Sequence, residues 1–349
     1  MLTLNQATLM TKNVAKWSSI ALGALILLFI IFRIGVLVKN IVAPTPPPPP
    51  TVSFGKLPEI EFPQSTNTRN YSYAIDTATG QLPEFPDRAK VYKIFQEQPD
   101  LLALKKTSEK IDQRGFTTGP VRIQDNTYQW SDPNSDIGSR ISIDIFTSNF
   151  SISSSYLGNQ NILSRNSLPS PSDAKTFAQT FLSGMSLLPE DLNLEDDQSP
   201  IFYSIQNSQL VPTTSFANAH IIGVNFFQKD KDKLPIYYPN PTQSTMKLFI
   251  GGGRSFPQVV EASFFHQKIS DDSGTYPIKT PDELFSQLKE GKAYIASEAN
   301  TDDILIQEVL LAYYSSDKKQ DYLMPIIVFK GTDGFTAYVS AVKDEWISK

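Results

Sequence analysis

The stretch Trp17 to Val38 reads WSSIALGALILLFIIFRIGVLV, and a proline run, Pro46 to Pro50, follows it closely. No other feature restricts the fate of this chain so strongly. A helix over those residues rises 1.5 Å per residue and reaches about 33 Å, the thickness of a bilayer's hydrocarbon core. The prolines cannot continue it. They favour an extended polyproline II spacer of about 3.1 Å per residue.

Arg33 interrupts the apolar stretch near its carboxyl end, where a long side chain can reach the interface, and Trp17 suits the opposite interface. Ile20 to Phe32 has no polar face, which argues against a soluble core helix. Pro44 directly after Ala43 makes a poor signal-peptide cleavage site. Lys12, Lys16 and the amino terminus have no acidic neighbour, which predicts a cytoplasmic amino terminus. The expectation is a cytoplasmic tail (1–16), a single-pass membrane anchor touching lipid (17–38), a proline-rich linker (39–85) and a body outside the cell membrane.

The 349-residue chain carries a net charge of −5, and its Lys and Arg residues are scattered after the anchor, which argues against nucleic acid as a main partner. Without cysteine it has no disulfide, thiol nucleophile or thiolate metal site. The remaining length suits two or three domains.

Three segments of the body begin alike. Gln98-Pro99-Asp100 leads into Leu101, Leu104 and Ile111 and ends at Gly115. Ser170-Pro171-Ser172-Asp173 leads into Ala174, Phe177, Ala178, Phe181, Leu182 and Met185, all on one helical face. Thr280-Pro281-Asp282-Glu283 leads into Leu284, Phe285 and Leu288 and ends at Gly291. Ser170 and Thr280 can cap free amides, and proline costs no hydrogen bond at the first helical position. Acidic side chains suit the positive end of the helix, and Thr280 with Glu283 has capping-box spacing.

Alternating runs follow each helix. Ile141, Ile143 and Ile145 alternate with polar residues, then Phe150 and Ile152; Thr147-Ser148-Asn149 joins the two as a hairpin. Ile201 to Ile205, Ile222 to Phe226, Met246 to Ile250 and Val260 to Phe264 continue the pattern, as do Ile304 to Tyr314, Tyr322 to Phe329 and Phe335 to Val342. Gly251-Gly252-Gly253-Arg254 and Lys330-Gly331-Thr332-Asp333-Gly334 read as turns. The predicted class is α+β, with tandem modules of antiparallel sheet and an amphipathic helix over 86–165, 166–275 and 276–349.

Tyr276 to Phe285, Leu288 to Lys292, Val309 to Tyr314 and Tyr322 to Gly331 resemble the helix-start and strand pattern of PepSY-like extracytoplasmic domains. With the anchor, the chain resembles membrane-anchored regulators of the YycH/YycI type. That resemblance implies a non-enzymatic role in the bacterial envelope, through contact with a sensor kinase, an envelope peptidase or another envelope protein. The matching positions are caps, turns and core, so it assigns no functional residue.

Weighed on their own, the polar residues assign none either. His220 is in phase with Ile222 and Val224, and His266 with Phe264, while Glu261 has the opposite phase; both histidines read as structural. No serine sits in a G-x-S-x-G elbow, and Gly251 to Gly253 lacks the Lys-Ser/Thr of a phosphate loop. Glu195-Asp196-Asp197, Asp271-Asp272 and Asp302-Asp303 lack calcium-loop spacing. In Tyr237-Tyr238, Phe226-Phe227, Phe264-Phe265 and Tyr313-Tyr314, alternation puts one ring inward and one outward, a possible partner surface. The expectation is therefore a regulatory or scaffolding protein working by protein contact, with no catalytic, cofactor-binding or metal residue and no cofactor. The alternatives are an envelope hydrolase of cell wall or peptide, and a small-ligand-binding module.

Overall fold

The computed structural model describes residues 16–18, 22–34, 49–64, 69–195 and 200–348. The tail before Lys16, most of the proline run, and Asp196 with Asp197 lie outside them. Helix α1 spans Lys16–Ile34 and is long and apolar enough to cross a membrane; a signal sequence has the same character. Residues 50–349 form a separate compact unit.

In chain order that unit opens with β1 (Ser72–Ile75), β2 (Arg88–Ile94) and α2 (Ala103–Asp112). Strands β3 (Thr118–Gln124), β4 (Thr127–Ser131), β5 (Arg140–Asp144) and β6 (Phe150–Ser153) follow. A single turn, α3 (Gln160–Leu163), and the longer α4 (Pro171–Gly184) come next. Then run β7 (Ile201–Gln206), β8 (Gln209–Thr213), β9 (Ile221–Phe226), β10 (Ile236–Tyr237), β11 (Met246–Gly251), β12 (Gln258–Phe264) and β13 (Ile269–Pro277). Helix α5 (Pro281–Lys289) precedes β14 (Tyr294–Ser297), β15 (Asp303–Tyr314), β16 (Tyr322–Gly331) and β17 (Thr336–Ser340).

The α+β class holds, in two sheets. One has nine antiparallel strands in the order β3-β4-β5-β6-β12-β11-β9-β7-β8. It draws strands from both sides of residue 165, because β6 pairs with β12 through Ile152↔Ala262 and Phe150↔Phe264. The other has eight strands around the order β1-β15-β16-β17-β14, with β2 bridging β13 and β16. It is antiparallel except where β1 and β10 each lie parallel to β15.

The helix starts follow their sequence chemistry at two of three places. Ser170 Oγ accepts from Asp173 N at 3.2 Å, and Thr280 and Glu283 form the full capping box. Gly115 and Gly291 close their helices with φ of +92° and +73°. The first start differs: α2 begins at Ala103, its N-cap position is Leu102, and no side chain caps it. Asp100 instead accepts Leu102 N at 2.9 Å and pairs with Lys106 at 2.7 Å, leaving Leu101 in solvent rather than in a core.

Packing explains which strands are apolar throughout. Helix α4 lays Ala174, Ala178 and Leu182 on the nine-stranded sheet, with Phe177 and Phe181 at the margin. Ile111 of α2 joins the same core. The eight-stranded sheet is covered on both faces. Leu284, Phe285 and Leu288 of α5 pack with Ile327, Phe329 and Val339, while Leu57 and Ile60 pack with Tyr314, Ile326, Val328 and Tyr338 on the opposite face. Burial on two sides requires the continuous apolar run Leu323 to Phe329.

Two expectations give way here. Residues 51–62, read as linker, lie across that second face, with Leu57 fully buried. Tyr313 and Tyr314 are both buried, because each face of β15 has its own cover, and Tyr238, Phe226 and Phe264 are buried while their neighbours are half-buried. Only Tyr313-Tyr314 departs from the expected alternation; in the other three pairs one ring is core and the other reaches the surface in part.

Candidate functional site

A cavity of about 930 Å³ lies where the ends of β2, β5 and β12 meet the loop after α4. Its walls come from 94–97, the β5–β6 turn, 186–191, 265–269 and Lys319. Phe95, Phe146, Leu188 and Phe265 supply apolar surface, and Glu97, Asp144, Glu190 and Asp191 outnumber Lys268 and Lys319. The Lys268 ammonium lies 5.0 Å from the centre of the Phe95 ring, a cation–π contact at the rim.

Turn chemistry builds one wall. Asp144 Oδ1 accepts from Phe146 N and Thr147 N at 2.9 Å, which lets Ser148 take a φ of +61°. Asn149 Oδ1, next in the turn, accepts from His266 N at 2.8 Å, tying that wall to the exit of β12.

The base is a chain of polar side chains. His266 Nε2 lies 2.8 Å from Asp191 Oδ1, and Gln228 Nε2 donates to Asp191 Oδ2 at 2.8 Å and to Gln267 O at 3.1 Å. Gln267 Nε2 donates to Ser316 O and Gln320 Oε1, both at 3.2 Å. Gln228 and Gln267 are each buried to 6% exposure, so these bonds satisfy groups that water cannot reach. The chain runs from the α4–β7 loop to the β15–β16 loop.

Burial pushes the Asp191 carboxyl up, but the hydrogen bonds from His266 and Gln228 outweigh it and hold the group below its ordinary range. As a carboxylate, Asp191 accepts, so the hydrogen between the pair sits on His266 Nε2. His266 Nδ1 then makes no hydrogen bond among the described residues. An oriented imidazole of this kind is two members of a nucleophile–base–orienter set. Ser148 and Ser186 line the same cavity, yet neither hydroxyl is bonded to His266.

His266 thus sits just past β12, where its phase put it, and gains a partner 75 positions away that no spacing signalled. His220 lies immediately before β9, bonded through its backbone to Tyr203 O, and takes no part in the cavity. No group of three or more potential metal ligands occurs among the described residues. Asp271 pairs with Lys231, and Asp303 accepts from Ser72 Oγ. The glycine run is a turn between β11 and β12. Side chains at Gly252 and Gly253 would strike Ser167 Oγ and Phe256 O.

No protein-family model matches the chain, and no curated protein matches it. Among solved structures it is similar to the YpeB C-terminal domain of Bacillus megaterium, at 14% identity and a TM-score of 0.34, over 71% of this chain and 95% of that one. It is also similar to an uncharacterized protein from Eubacterium rectale, at 13% identity and a TM-score of 0.35, over 80% of this chain and 90% of that one.

Proposed function

We propose that the protein is a membrane-tethered, extracytoplasmic regulatory or scaffolding module, and that it receives an extended segment of another envelope protein in the cavity between the ends of β2, β5 and β12. The observation that carries this reading is the cavity itself. At about 930 Å³ it lies at the upper end of small-molecule sites, with aromatic walls and a few fixed polar groups at its base. The anchor supports it by confining any partner search to the membrane plane. Lys12 and Lys16, at the amino-terminal end of the anchor, favour an outward-facing body. The resemblance to YycH/YycI-type regulators favours a sensor kinase or an envelope peptidase as the partner.

A photo-crosslinking residue placed at Phe95 or at Glu190 of the full chain, in native membranes, is expected to capture the same protein from both positions. One placed at Gln209 on β8 should capture none. Equal yields from all three positions would refute the assignment.

The Asp191–His266 pair favours a second reading, an envelope hydrolase. A fluorophosphonate probe that labelled Ser148 or Ser186, with labelling lost in His266→Ala, would establish it; full-length protein that stayed unlabelled would remove it.

A further inference from the structure

We infer that residues 51–62 form a displaceable latch, and that the aromatic floor beneath it is a second, covered interaction surface for an extended partner segment with the apolar spacing of Leu57, Ile60 and Phe62. This surface is built by the eight-stranded sheet and is separate from the cavity above.

The latch is fixed unevenly. Its first half is pinned by backbone groups: Val52 N donates to Thr275 O at 3.0 Å, Phe54 N to Tyr276 Oη at 2.9 Å, and Leu57 N to Trp346 O at 2.8 Å. Ser348 N returns a bond to Leu57 O at 2.8 Å. Past Leu57, no backbone bond joins residues 58–62 to the sheet among the described contacts, and Phe62 N turns back to Ile60 O. Pro58 and Pro63 have no amide to offer. This half is held by side chains. Ile60 is buried, and the Phe62 ring stacks on Tyr294 at 5.3 Å and meets the edge of Tyr314 at 4.8 Å.

What lies beneath does not match what covers it. The hydroxyls of Tyr338 and Ser340 and the Trp346 indole N–H are buried without a hydrogen-bond partner. Tyr314 and Tyr338 are fully buried and belong to the cluster that Leu57 and Ile60 complete. A buried polar group left unpaired opposes the packing that hides it. An apolar cover over several such groups is therefore held less firmly than its contact area suggests. A partner segment with the same three apolar residues, and carbonyl or hydroxyl oxygens near the tyrosines, would satisfy what the latch leaves unmet.

The absence of cysteine allows a clean lock. A Cβ built at Gly274 lies 3.1 Å from Ser53 Cβ, a few tenths of an ångström inside disulfide spacing. Ser53 is exposed, and the nearest atoms to a Cβ at the buried Gly274 all belong to Ser53, so Ser53→Cys with Gly274→Cys disturbs little beyond the latch itself. Hydrogen exchange on the full chain in detergent should show the amides of 52–62 exchanging at least roughly 100-fold faster than those of β16, since locally opening units exchange ahead of the core. A labelled synthetic peptide copying residues 51–64 should bind the full chain, and the oxidised double variant, tethered at residue 53, should lose fast exchange at Val52 until reduced. Latch amides protected as strongly as β16, or a copy peptide that fails to bind, would overturn the inference.

Discussion

Replacing Asp191 by alanine tests the polar chain at the base of the cavity. The side chain gives two acceptor contacts at 2.8 Å, to His266 and to Gln228. Hydrogen bonds to a charged group contribute about 1.5–3 kcal/mol each. Gln228 keeps its bond to Gln267 O, so that loss is partial. The carboxylate is 38% exposed, so solvent screens its bond with His266 and that contribution is discounted too. The net expectation is about 2 kcal/mol. With a urea slope of about 3 kcal/mol per molar, the midpoint falls by roughly 0.7 M. The pH dependence fixes the sign. The folded carboxyl titrates below its ordinary value of 3.8, so its contribution is fully present above that pH. It is lost as the pH falls through the depressed folded value. Urea unfolding followed by circular dichroism should therefore separate wild type from Asp191→Ala at neutral pH, with the gap closing in strong acid. Asp191→Asn, which keeps the shape without the charge, should fall between them. An unchanged midpoint at neutral pH, or an equal gap at both pH values, would refute the reasoning.

Thr280→Ala breaks the capping box of α5 and should cost about 1 kcal/mol, seen as a melting temperature lower by about 2 °C. Gly251→Ala places a Cβ 2.6 Å from Ile162 Cγ2 and 3.1 Å from Val260 Cγ1, and overpacking should destabilise by about 1–3 kcal/mol in a thermal melt. Burial and the bond to Asp232 push the Tyr92 phenol up to about 12. Its contribution to stability holds below its unfolded value of 10 and is lost as the pH rises toward the folded one. Tyr92 is one of several tyrosines that burial pushes up, so the late phase of phenolate absorbance should shrink by one tyrosine in Tyr92→Phe. Full-length chain should sediment with membranes, and a chain beginning at residue 50 should remain in the supernatant.

Local chemistry was legible wherever a few adjacent residues decide the outcome. The caps at Ser170 and Thr280, the glycine stops and the turn at Thr147 to Asn149 all follow from short-range hydrogen bonding and backbone freedom. Leu101 was misread for an equally local reason. Asp100 accepts a backbone amide in a turn, as aspartate does at a cap, but that turn precedes the helix instead of starting it. Strand partners were not legible. Alternation in Phe150 to Ile152 says that one face is buried, and nothing in it names Ala262 to Phe264 as the neighbour. Residues 51–62 were missed because Leu57, Ile60 and Phe62 follow neither a two-residue nor a helical period. Asp191 was missed because a lone aspartate in a loop gives no signal until the fold delivers His266 and Gln228 to it.

The pairing of β6 with β12 also governs how this protein can be cut. A fragment ending near residue 165 would keep β3 to β6 but lose the neighbour that saturates the backbone of β6. One starting there would lay bare the matching row along β12. Each piece would carry a raw sheet margin lined by Phe150 or Phe264, open to self-association. Anyone dissecting the chain will obtain better-behaved material by keeping residues 86–275 in one polypeptide than by dividing them at the gap between α3 and α4.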